Sequence, residues 1–338
     1  MEIEKKVDII TIGRSSLDLY SQNIGADFKD IKGFNAYVGG SPLNIAVGSS
    51  RLGLKSEILT AVGDDKVGDF ILNFLNKEKI NTKNIPRISN SRTSAVLLGI
   101  EPPDKFPLVF YRENAADSMI NIEQVNNFKI ERCKVLEVSG TSLNKEPSRS
   151  AVFHAIKIAK KNNIDIIHDL DFRIDQWKDI FSFGKITKSI LSYIDIVVGT
   201  EEEILATNIK SKNQVIITDQ QISSPKITGN LSKAIYQILD HGVKTLIVKS
   251  GEEGVTIYKS DGTSKKVNGF PVKVLNVLGA GDAFASGFIY GYLKGWDLIK
   301  SCRMGNACGA LIVLQPGCAN FMPSLNETLE FIKKNGGF

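Results

Sequence analysis

NVLGAGDAFASGF, residues 276–288, joins a β-like run to an apolar helix-like run through three small residues and one acid. Phe284, Phe288, Ile289 and Tyr292 recur at helical spacing, so the turn opens a helix, and its glycines permit the tight bend. A helix N-terminus leaves backbone N–H groups unpaired and carries partial positive charge. The amides of Ala280 and Gly281 are therefore placed to cradle a phosphate. Asp282 has two readings: a cap that stabilises the helix by about 0.5–2 kcal/mol, or a catalytic carboxylate at an anion site. A Walker-type loop needs Gly-Lys-Ser/Thr, whereas Asp282 follows Gly281; a G-x-G-x-x-G fingerprint needs a glycine where Phe284 stands. Neither motif fits.

Outward from this stretch, short β-branched runs (VDIITIG, SEILTAVG, KVLEVSG, IDIIHDL, YIDIVVG, KTLIVKSG) alternate with helical patterns. That rhythm predicts an α/β fold with a mainly parallel sheet covered by helices on both faces. Residues 14–39 and 91–113 break it, with consecutive strand-like stretches joined by turns such as Pro102-Pro103-Asp104. They are expected to pair as a small antiparallel sheet projecting over one edge, as a lid or a dimer surface. In GGSPLNIAVG, Ser41 is expected to cap a helix whose first residue is Pro42, with Asn44 in the first turn.

A chain of 338 residues suits one large α/β domain with an accessory lobe, and 42% apolar residues are enough for a substantial core. The net charge of +5 lies in scattered groups such as Lys160-Lys161, Lys265-Lys266 and Lys333-Lys334, which predicts a solvated surface and no nucleic-acid groove. The N-terminal apolar run is too short for a signal or membrane span, and is read as the first strand of a cytoplasmic protein. Cys133, Cys302, Cys308 and Cys318 lack C-x-x-C spacing, and His154, His168 and His241 are scattered. Reduced, buried thiols and no zinc site are expected.

Residues 276–288 resemble the second signature of the ribokinase-like (PfkB) sugar kinases, and GGSPLNIAVGSSRLGLKSEILTAVG, residues 39–63, resembles the first. The resemblance spans essentially the whole chain. It implies a single three-layer α/β/α domain over residues 1–338 with a β-sheet lid. It also implies ATP with Mg2+, and phosphorylation of a primary hydroxyl. GRSSLDLY (13–20), FPLVFYRENAAD (106–117), HDLDFR (168–173) and VVGTEEE (197–203) resemble, within that family, kinases of a sugar acid.

By this resemblance Asp282 is the base facing the acceptor hydroxyl, and Gly279, Ala280 and Gly281 form the anion hole. Asp18 would accept sugar hydroxyls, with a loop acid as the alternative, and Arg14 is a carboxylate partner or a surface charge. Gly39, Gly40 and Asn44 resemble the substrate-side loop, or form a plain helix entry. Arg112 either grips a substrate carboxylate or guards an edge strand. Asp169, Asp171 and Arg173 lie where a strand ends; Arg173 offsets phosphate charge or makes a structural ion pair. Glu203 is the candidate for magnesium-bound water, with Thr200 replacing the family asparagine; a helix cap at Thr200 is the alternative. Lys249, Gly251 and Asn306 resemble nucleotide-side residues, with a hairpin turn and a core helix as alternatives. Asn276 stands where many relatives carry aspartate, which leaves a monovalent-cation site in question. Other acceptor sugars of the family, acidic or neutral, and a non-catalytic sugar- or nucleotide-binding regulator remain the alternatives, with a homodimer through the lid as the expected assembly.

Overall fold

Side chains on a strand alternate between its two faces, and this alternation separates two cores. Ile10 and Ile12 join one apolar cluster, whereas Ile9, the residue just before them, joins another. The computed structural model describes residues 6–101, 105–217 and 225–338; the expected turn at 102–104 lies outside the described residues. Its principal strands are β1 (Val7–Ile12), β2 (Ser16–Ser21), β3 (Phe34–Gly39), β4 (Ser56–Leu59), β5 (Ser94–Leu98), β6 (Leu108–Tyr111), β7 (Cys133–Ser139), β8 (Asp165–Asp169), β9 (Ile196–Thr200), β10 (Thr245–Lys249), β11 (Val255–Lys259) and β12 (Ser264–Val267). The helices are α1 (Ser41–Arg51), α2 (Lys66–Lys77), α3 (Ile122–Phe128), α4 (Ser148–Lys161), α5 (Ile180–Ile190), α6 (Glu201–Ala206), α7 (Leu231–Asp240), α8 (Ala280–Leu293), α9 (Leu298–Ile312) and α10 (Leu325–Lys334).

The main sheet runs β12-β11-β10-β9-β8-β7-β1-β4. From β10 to β4 every pairing is parallel, and β11 and β12 add an antiparallel edge. Parallel strands are buried on both faces, which is why β1, β7 and β9 read as nearly continuous apolar runs. One core holds buried residues from α3, α4, α5, α6 and α7; the other holds those from α1, α2, α8, α9 and α10. This is the expected three-layer α/β/α architecture.

The second sheet runs β3-β2-β5-β6 and has its own apolar cluster around Tyr20, Val96, Leu98 and Phe106. It departs from the expected antiparallel arrangement: β2 pairs with β5 in parallel. The chain between them passes through β4 and α2 in the main domain, and such a crossover returns a strand in the same direction, whereas a tight hairpin reverses it.

The four cysteines are buried, as expected. Among the described residues, no helix is long and apolar enough to cross a membrane.

Candidate active site

Ligands of open α/β sheets bind at the carboxyl ends of the strands, and the expected residues gather there. α8 begins at Ala280, with Gly279 as N-cap at φ 82, a left-handed conformation that glycine adopts without a Cβ penalty. Asp282 lies in the first helical turn, but its carboxylate does not cap it. Instead, Asp282 Oδ2 accepts a 2.6 Å hydrogen bond from Asn44 Nδ2 in the first turn of α1. Burial and the nearby Asp171 charge raise the Asp282 carboxyl above its ordinary value of 3.8.

The entry to α1 differs from the expected cap. Gly40, at φ 108, is the N-cap, the helix starts at Ser41, and no side chain caps it. The glycine conformation moves the start one residue earlier, so that Ser41 is the first helical residue and lies buried beside the Asp282 carboxyl. Gly39 has a separate role: a methyl group there would overlap the Asp18 carboxylate. Asp18 is a buried residue of β2, not a loop acid, and accepts from Ser16 Oγ at 2.6 Å and Tyr20 OH at 3.1 Å. Burial raises its carboxyl, against the opposing pull of Arg14.

The two arginines near the lid differ in their commitments. Arg112 Nε and Nη2 donate to Asp117 Oδ2 at 2.8 and 2.6 Å, and Nη1 donates to Thr141 O and Gln176 Oε1. It is buried, and therefore not an edge-strand guard. Arg14 is only 6% exposed, which removes the surface-charge alternative. Its Nη1 donates to Ser16 Oγ at 3.1 Å and its guanidinium lies 5.4 Å from the centre of the Phe110 ring, while Nε has no partner.

A second group meets at the ends of β8, β9 and β10. Lys249 Nζ lies 3.3 Å from Asp169 Oδ2 and 4.0 Å from Glu203 Oε2. It also sits beside the turn, since a methyl group on Gly281 would lie 3.0 Å from Nζ. Burial opposes its charge, but Asp169 and Glu203 more than offset that and raise the Lys249 pKa. Burial in turn raises Asp169 despite Lys249. Arg173 pairs with Asp171 at 2.9 Å and lies 3.8 Å from Glu203. Although burial opposes it, Arg173 and Arg14, with the Ser139 and Thr141 hydroxyls, hold Asp171 down to about 2.

Thr200 caps α6. Its Oγ1 accepts from Glu203 N at 3.2 Å, and Glu203 Oε2 accepts from Thr200 N at 2.8 Å. Glu203 Oε1 accepts from Phe172 N at 3.2 Å. Among the described residues, no group of three or more acids, histidines or cysteines could hold a metal ion directly.

Asp169, Asp171, Arg173, Glu203, Lys249 and Asp282 line one end of a cleft of about 590 Å³, within the range of small-molecule sites. Apolar walls from Phe270 and Val313 mark its other end, near Gly251 and Asn306, whose Nδ2 donates to the carbonyls of Val267 and Asn268 at 3.0 Å. Asn276 is fully buried below the turn; its Nδ2 donates to Pro316 O at 3.1 Å and its Oδ1 accepts from Leu278 N at 3.0 Å. Sequence reasoning missed Ser16, Tyr20, Asp117, Ser139, Thr141 and Gln176. The polar run Ser139-Gly140-Thr141 directly after a predicted strand was the available signal, because a strand's carboxyl end rings the site.

Fold and cleft together define a ribokinase-like phosphotransferase acting on a sugar. The model of the pfkB family of carbohydrate kinases matches residues 6–325, and the chain belongs to that family. A Clostridium perfringens protein named 5-dehydro-2-deoxygluconokinase is 34% identical over 333 residues, covering 98% of this chain and 94% of the relative. A protein of the same name from Clostridium tetani is 35% identical over 332 residues, with the same coverage of 98% and 94%. Among solved structures, an E. coli protein provisionally named ribokinase II, in complex with ATP and Mg2+, superposes with a TM-score of 0.83 at 25% identity, covering 97% of this chain and 99% of that one.

Proposed function

We propose that the protein transfers the γ-phosphoryl group of ATP to the terminal hydroxyl of 5-dehydro-2-deoxy-D-gluconate, giving 6-phospho-5-dehydro-2-deoxy-D-gluconate in myo-inositol catabolism. The observation that carries this reading is the Asp282 carboxylate in the first turn of α8, bound by Asn44 and flanked by the Lys249 ammonium. Phosphoryl transfer passes through a loose transition state, so alignment and charge stabilisation supply most of the catalysis. In this reading Asp282 takes the proton of the acceptor hydroxyl, and its raised pKa brings it closer to that task. The Gly279-Ala280-Gly281 amides and Lys249 stabilise charge on the transferring group, helped by Arg173. Asp18, Asn44 and the Gly39-Gly40 backbone fix the sugar hydroxyls.

The adenine end of ATP lies towards Gly251 and Asn306. Bound magnesium would supply positive charge to the phosphates. Asp169 and Glu203, both lining the cleft beside Lys249, would hold it through water, which suits an ion that keeps several waters. A monovalent cation does not fit at Asn276: its amide presents a donor to Pro316 O where a cation needs acceptors. Segments 14–39 and 91–113 act as the lid and as the surface of a homodimer, in a single-domain cytoplasmic enzyme.

The test is ADP release with magnesium-ATP on 5-dehydro-2-deoxygluconate, 2-dehydro-3-deoxygluconate and fructose side by side. Selective turnover of the first supports the reading. Preference for either other sugar overturns the substrate, and no turnover of any with ligand-dependent thermal stabilisation makes the protein a binder.

A further inference from the structure

The reading above supplies an acceptor with a carboxylate but leaves open which cation receives it; the inference here rests on that reading. Three guanidinium groups lie around the Asp18, Asp171 and Thr141 side of the site: Arg173 lines the cleft, Arg14 acts electrostatically on Asp18 and Asp171, and Arg112 donates to Thr141 O. Arg112 is spent: Asp117 takes Nε and Nη2, and Thr141 and Gln176 take Nη1. Arg173 forms a 2.9 Å ion pair with Asp171. Arg14 differs from both. Among the described residues no carboxylate lies within ion-pair distance of it, its Nη1 donates to the neutral Ser16 hydroxyl, and its Nε is buried without an acceptor.

A buried cation with an unused donor is expensive unless an anion reaches it, and a guanidinium matches a carboxylate with two parallel hydrogen bonds. Arg14 follows directly from the end of β1, and its backbone packs against Gly40 of the substrate-side loop. It is two bonds from Asp18 through Ser16, whose hydroxyl accepts from Arg14 and donates to Asp18. The Phe110 ring of lid strand β6 covers one face of the guanidinium, which holds the plane and leaves its edge as the binding direction.

We infer that Arg14 anchors the carboxylate of the acceptor and thereby sets the preference for a sugar acid, while Arg112 is part of the framework around it. Asp18 and Asp171, within electrostatic range of Arg14, keep the pocket from holding small anions indiscriminately, so that a ligand also needs hydroxyls for those acids.

The test compares wild type with Arg14→Gln and Arg14→Lys on two acceptors: 5-dehydro-2-deoxygluconate and the corresponding ketose with CH2OH in place of the carboxylate. Wild type is expected to prefer the acid in kcat/KM. In Arg14→Gln that preference should fall by about 10- to 100-fold, chiefly through KM for the acid, the usual scale for a hydrogen-bonded charge. Arg14→Lys, which keeps the charge but loses the fork, should fall between. Thermal melting checks folding, and because the acid-to-neutral ratio is taken within one variant, partial loss of folded protein cancels. A wild-type preference that survives in Arg14→Gln removes the anchor alone. A wild-type enzyme that turns over neither acceptor, or both equally, removes the sugar-acid reading itself.

Discussion

Asn44 Nδ2 and Asp282 Oδ2 meet at 2.6 Å across 238 residues of sequence, tying the first turn of α1 to the first turn of α8. The bond aims the carboxylate and leaves its other oxygen for an acceptor hydroxyl. Asp282→Asn is expected to lower kcat by about 10²–10⁴-fold, the scale of a positioned general base, with folding intact. Asn44→Leu should cost about 10- to 100-fold, since it removes a hydrogen bond to a charged group. The acid limb of kcat against pH should lie above 3.8, because Asp282 is raised and protonation on acidification removes the base. Near-normal turnover in Asp282→Asn, measured as ADP release, would return the residue to a structural role.

Asn276 makes the monovalent-cation question measurable. Its amide already joins Leu278 N and Pro316 O, the two sides of the loop beneath the turn. Replacing K+ by tetramethylammonium at constant ionic strength should change turnover by less than about twofold, since no acceptor cage needs filling. A strong K+ requirement would show that the cation binds elsewhere.

Arg112 and Asp117 form a buried pair whose side chains are 5% and 1% exposed. Arg112→Met leaves the buried Asp117 without its ion-pair partner, at a cost of about 3–5 kcal/mol in stability. Arg112→Met/Asp117→Leu should recover much of that loss in urea denaturation. If Arg112→Met keeps full stability and instead raises KM for a sugar acid, Arg112 is a ligand residue.

Much of the architecture was legible because it rests on periodicity. The α8 start was visible from a glycine turn followed by apolar residues at helical spacing, and the parallel sheet from unbroken apolar runs between helices. The direction of β5 was not, because a period-two pattern is the same read up or down. The α1 cap was misplaced by one residue because Ser-Pro carries the usual signal while Gly40 takes the conformation that starts the helix. The list of charged site residues was readable, but their pairing was not. Whether Arg14 or Arg112 is already committed depends on Asp117, Thr141 and Gln176, brought together by separate strands and loops.

Glu137 is the least expected residue of the site floor. It lies on β7 between Thr11 of β1 and Ile167 of β8, is fully buried, and neither carboxyl oxygen has a hydrogen-bond partner. Burial, with the charges of Asp169, Asp171 and Asp282, pushes its carboxyl well above the ordinary value of 4.5. The folded state then binds a proton that the unfolded chain has released, so stability falls with rising pH. The contribution is fully present below the unfolded value and is lost as pH rises through the folded one, at about 1.4 kcal/mol per pH unit between them. Glu137→Gln cannot ionise. Its unfolding free energy should therefore match wild type near pH 4.5 and exceed it increasingly above, a divergence that chemical denaturation at several pH values will read. Parallel curves for the two proteins would mean that Glu137 titrates alike in the folded and unfolded chains, and that a partner stabilises its charge.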